Sequence, residues 1–308
     1  MFKICLTLLL TYMFLLAPSA GFAQEWWQDE RAKKESPTRY SYEGQRENGI
    51  VKSTVDYGNR YLEFEAEGTV NMAEMNSQAQ AMIAAKSAAK LRAYAGAAQF
   101  ISGLMVTAGY KTDKVEFEEE AVTGILKGTL VKYARIINDD QLKWINGVPV
   151  ATVKLGLLFD MSNGILETVF PAVKEQTFRL DIKPYQPTSS PPASTGPYTG
   201  VIIDARGLQL EPSIAPMILT ENSRQVYGTL TVSRDYAVKQ GIAGWYSDVE
   251  AAKEDTDRLG NNPLVIKGVK TAVTDHHVWI SPEDAVKVYG ADLKQQFLQE
   301  CRVGIVVD

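Results

Sequence analysis

Two adjacent histidines, His276 and His277 in "TDHHVWIS", are the chain's whole supply of imidazole. With Asp275 beside them they are the residues best equipped to hold a metal or act as a base. Their spacing works against it, because neighbours on a strand point to opposite faces and cannot readily share one ion. The pattern predicts a plain strand with one exposed and one packed imidazole. Of two cysteines, Cys5 lies in an apolar N-terminal run, and Cys301 stands alone beside "VGIVV". A thiol in an apolar strand is expected to be inert, the alternative being a reactive or intermolecular cysteine. Carboxylates cluster at Glu118 to Glu120 and at Asp139-Asp140. Carboxylate-only catalysis, as in a glycosidase, stays open on such residues, but no pair stands out. No G-x-S-x-G, P-loop or Rossmann glycine pattern occurs. The chain is therefore expected to carry no catalytic residue, no metal ligand and no cofactor site, and not to be an enzyme.

The stretch "GVIIDARG" resembles, weakly, the first strand of zinc-dependent cell-wall amidases, where an isoleucine-aspartate strand leads into a glycine-rich turn. The zinc histidine that this resemblance would require is missing, since Ala205, Arg206 and Gly207 follow Asp204. Both histidines lie far downstream, so that ligand set cannot be assembled.

The order of elements explains what these residues sit on. Lys3, an apolar run from Ile4 to Leu16, and small residues ending at Ala23 read as a secretory signal peptide, residues 1–23. Cleavage is placed after Ala23, with Ala20 as second choice. Residues 24–54 are polar and without periodicity, and read as a flexible arm. Trp26 and Trp27 in that arm are candidate contacts for a membrane interface or a partner's groove, or they fold back on their own domain. Residues 55–182 form a first domain. Leu62, Phe64 and Ala66 alternate with Glu63, Glu65 and Glu67 as a half-buried strand. Asn71 and Glu74 suggest a cap for the helix that follows. Along it Ala81, Ala84, Ala88, Leu91, Ala95 and Ala98 recur at steps of three and four, a shallow stripe suited to close packing. A strand is expected at 129–137, and Asn146-Gly147 marks a tight hairpin. Pro149 implies an edge or irregularity, and a short helix is expected at 163–174.

"KPYQPTSSPPASTGPY", residues 183–198, holds five of the chain's 13 prolines and reads as a stiff linker. Residues 199–308 are a second domain of mixed strands and helices. The fold class is thus α+β in two domains: a long alanine-rich helix on a small antiparallel sheet, then a mixed domain. The net charge of −5 argues against a nucleic-acid partner.

The first domain resembles the Lpp-twenty-type outer-membrane lipoprotein family, also found in flagellar basal-disk and H-ring accessory proteins. The residues that carry the resemblance are "LEFEAEG", "AAKSAAKLRAYAGAAQFISGL", "AVTGILKGTLVKYARII" and "VPVATVKLGLLFD", within Leu62 to Asp160. Unlike many members, this chain has no cysteine at the signal cleavage site. The closing domain, with "TGVIIDARGL" and "CRVGIVVD", is similar to one in longer periplasmic proteins. The resemblance implies an exported structural or assembly protein of the periplasm or the periplasmic face of the outer membrane. A flagellar-motor ring or disk is its most specific form, with envelope proteins, flagellar basal-body or outer-membrane components, or further copies of itself as partners. The alternative is a binding module for peptidoglycan or a small envelope ligand.

Overall fold

The computed structural model describes residues 36–43, 50–107, 130, 134–158, 165–167, 170–171, 174, 182–187, 196–271 and 276–308. The expected signal peptide, residues 1–23, and Trp26-Trp27 lie outside these residues. The chain is α+β, with an antiparallel sheet and a long helix first and a mixed domain second.

The first domain is built on five antiparallel strands in the order β1-β2-β3-β5-β4. They are β1 (Arg39–Glu43), β2 (Ile50–Asp56), β3 (Tyr61–Gly68), β4 (Arg135–Ile145) and β5 (Val148–Leu158). The expectation of a flexible arm through residue 54 is corrected here: residues 39–43 and 50–56 are paired strands. Their alternation is hidden by polar residues used inside the sheet. Ser41 and Thr54 hydroxyls meet across the ladder at 3.1 Å, and Asp56 is buried while accepting the Asn59 N–H at 2.8 Å.

Helix α1 (Gln78–Thr107) lies on β2, β3 and β5. Asn71 caps a separate 3-10 turn, Met72–Glu74, and the helix itself begins after Ser77, whose hydroxyl accepts the Gln80 N–H at 3.1 Å. The buried row is Ala81, Ala85, Ala89, Ala93, Ala97 and Ile101, which corrects the expected stripe. A step of four overshoots one turn by about 40°, so the contact line winds round the helix as the twisted sheet turns beneath it. Leu91, expected inside, is 72% exposed. Small side chains let the helix come very close. A Cβ on Gly68 would stand 2.1 Å from the Ala89 nitrogen, so at this crossing only glycine fits.

The hairpin turns at Asn146-Gly147, both with positive φ, pairing Ile145 with Val148. Pro149 lies beyond the last β3 rung, Gly68↔Ala151, where a missing N–H leaves no ladder bond unmade. The strand expected from 129 starts at Arg135, since Leu130 is helical.

The second domain holds two sheets. Strands β6 (Gly200–Asp204), β9 (Gly244–Tyr246), β10 (Pro263–Lys267) and β13 (Val303–Val306) form a wholly parallel sheet in the order β10-β6-β13-β9. Parallel strands are buried on both faces and so read as unbroken apolar runs. Ile202 and Val306 pack on one face with Ala252 and Leu259, while Val201, Ile203 and Ile305 join the main core. Strands β7 (Ile218–Leu219), β8 (Gln225–Tyr227), β11 (Lys270–Thr271) and β12 (Val278–Trp279) form a small mixed sheet, ordered β11-β12-β7-β8. The helices are α2 (Arg234–Gln240), α3 (Val249–Glu254), α4 (Thr256–Leu259) and α5 (Pro282–Gln295).

The two domains touch. The Tyr57 and Trp245 rings meet edge to face at 6.1 Å, and Arg60 reaches the Gln240 carbonyl at 3.5 Å. The Pro-rich stretch begins attached to the second domain: Tyr185 donates to the Gln225 carbonyl at 2.8 Å, and Gln225 donates to Lys183 at 2.9 Å.

Candidate functional site

Among the described residues, the histidines, Cys301 with Arg258, and the Asp204–Arg206 pair lie in separate places, each holding structure. His277 is buried, and its Nδ1 accepts the Met217 N–H at 3.2 Å. His276 has φ 47°, and its Nδ1 stands 3.1 Å from the Glu211 carbonyl. The pair precedes β12 rather than lying within it, and each imidazole turns to a different neighbour. Among the described residues, no three His, Cys, Asp or Glu side chains are grouped to hold a metal ion.

Cys301 occupies the turn before β13, with φ 58°, rather than the strand itself. Burial pushes its thiol up to about 11, the wrong direction for a nucleophile at neutral pH. Tyr227 beside it is fully buried, raised well above its ordinary value by desolvation, and donates to the Ile242 carbonyl. Arg258, also buried, donates to the carbonyls of Gln240, Gly241 and Cys301. These are the carbonyls at the end of α2 and before β13, so the guanidinium joins two elements at once.

In open parallel sheets, ligand sites gather at the carboxyl ends of the strands. Here that end carries Asp204, Arg206 and Asp308. Arg206 grips Asp204 through two bonds of 2.8 and 2.7 Å, which hold its carboxyl below the usual range. The Gly207 N–H is shared by both Asp308 oxygens at 3.0 and 2.9 Å. The groups that the "GVIIDARG" motif placed in question thus pin the loop after β6.

A concavity among the described residues lies elsewhere. A groove of about 850 Å³ runs between residues 184–186, the Thr220–Arg224 turn and the first turn of α5. Its walls include Tyr185, Glu221, Asn222, Arg224, Glu283 and Val286. Each wall is held by local bonds. The turn is closed by Thr220 N–H to the Arg224 carbonyl at 2.9 Å, and Ser281 Oγ caps α5 by accepting the Asp284 N–H at 3.1 Å. Tyr185 is braced edge to face on Tyr289 at 6.2 Å. One aromatic edge, an amide, a guanidinium and two carboxylates suit a polar ligand that carries both charges. Only one feature of the chain hinted at it: the Pro-rich start of residues 183–198 reads as linker, yet it forms one wall.

Residues 200–308 match the family described as Treponema pallidum Tp0624, second domain, whose description names no activity. No match accompanies it for the lipoprotein-type family that residues 62–160 resemble, and no curated protein matches the chain. Among the described residues no helix is long and apolar enough to cross a membrane.

Proposed function

We propose that this chain is an exported, non-enzymatic structural or assembly protein of the bacterial periplasm or outer membrane. Its most specific form is a component of a ring or disk around the flagellar motor. One observation carries the structural reading: among the described residues, Arg258, Arg206, Asp204 and His277 serve as struts. Arg258 ties α2 to the turn before β13, Arg206 and Asp204 close a loop, and His277 supports Met217. The flagellar version rests on the resemblance of residues 62–160 and on nothing else. The test is the mass of residues 24–308 by light scattering across a concentration series. Growth into uniform assemblies supports the reading, and a single-chain mass at every concentration overturns self-assembly. Deleting the gene in a flagellated host should reduce swimming, and unchanged swimming removes the flagellar version.

The groove at Tyr185 and Arg224 favours a second reading, a binding module for peptidoglycan or a small envelope ligand. Cell-wall fragments should then raise the melting temperature through linkage, and Arg224→Ala should abolish that rise.

A further inference from the structure

Helix α1 has a second face. Its 30 residues include Lys86, Lys90 and Arg92 but no carboxylate, in a chain whose net charge is −5. Its outward row is Ile83, Ser87, Leu91 and Ala95, all exposed. Ile83 is 68% and Leu91 72% exposed, higher than any other large apolar side chain among the described residues. A single exposed leucine needs no explanation, but two on one helix face with Lys86 alongside make an apolar strip with a basic margin.

The chain also presents the complement. Helices α3 and α4 expose Glu250, Glu254 and Asp257, and Lys253 already pairs with Glu250 at 2.9 Å. Val249 and Ala251 on α3 are partly exposed beside them, Val249 while packed on the cluster of Ile202 and Val306.

We propose that the outward face of α1 in one copy docks on α3–α4 of a second copy. Ile83 and Leu91 form the dry centre, and Lys86 faces Glu254 and Asp257. This rests on the self-assembly reading above and names its contact. The two surfaces differ, so each copy offers one and receives the other. Such a heterologous contact builds rings or open filaments rather than a closed symmetric dimer.

The experiment uses two variants of the chain beginning at Gln24, changed only at exposed or partly exposed positions. Lys86→Glu with Leu91→Glu disables the helix face and keeps good helix formers. Glu254→Lys with Asp257→Lys disables the acidic face. Each variant alone should give the mass of one chain by light scattering, and an equimolar mixture should give twice that mass and no more, because each variant retains one live face. Wild-type assembly that persists unchanged in both variants overturns the contact while sparing the self-assembly reading. A wild type that stays monomeric overturns both. A wild type that co-sediments with vesicles containing anionic lipid, through the same Lys86 and Leu91, also overturns the proposal, since the face would then belong to a membrane.

Discussion

The five-stranded sheet of the first domain and the parallel sheet of the second bury their surfaces by opposite means. In the first domain the sheet meets a helix through alanine and glycine, so backbone approaches backbone. In the second, a parallel sheet is covered on both sides and filled by branched aliphatic side chains: Val201, Ile202, Ile203, Val303, Ile305 and Val306. Packing by closeness tolerates loss of atoms and resists their addition. Packing by bulk has some room to give and suffers chiefly from atoms removed.

That contrast can be broken most forcefully at Gly68. Gly68→Ala adds one methyl against the Ala89 nitrogen and should destabilise by about 3 kcal/mol, read as a lower denaturation midpoint at unchanged slope. An effect below about 0.5 kcal/mol would mean the helix slides freely and closeness is not what holds it. Next comes Arg258→Met, which leaves the Gln240, Gly241 and Cys301 carbonyls without their donor. About 2 kcal/mol is expected. A stabilised variant would show instead that the buried cation was the greater liability.

Ile202→Val sharpens the comparison from the other side. Removing one methylene between β6 and the α3–α4 layer should cost about 1 kcal/mol, clearly less than adding one at Gly68. The smallest effect belongs to Asp204→Asn. Arg206 lowers the folded-state pKa of Asp204, so the stability it adds is present above the unfolded carboxylate value, about 3.9. That stability is lost as pH falls through the lower folded value. The melting-temperature gap between wild type and variant should be constant above about pH 5 and close on acidification. A gap that stays constant into acid would assign it to something other than charge.

The strand at residues 61–68 and the hairpin at Asn146-Gly147 were legible because side-chain period and turn chemistry are local signals. Three features were not. Strands β1 and β2 use Ser41, Thr54 and Asp56 as partners inside the sheet, so polarity suggested an arm. The phase of α1 depends on the twist of the sheet beneath it, and among so many alanines no side chain marks the inward face. The groove at Tyr185 and Arg224 arises where segments far apart in sequence converge, and no spacing of residues announces that.

Strand β13 sits between β6 and β9 although it follows both in the chain. Its first rung joins Val303 to Val201, so the closing strand is the last of the sheet to enter the chain. Until Val303–Val306 emerges, β6 can pair with β10 but β9 has no neighbour, and the middle of the sheet stands open. The domain therefore closes last at its centre. A chain truncated before Val303 should remain protease-sensitive throughout the second half, whereas the first domain's sheet, complete by Leu158, needs no later strand to pair.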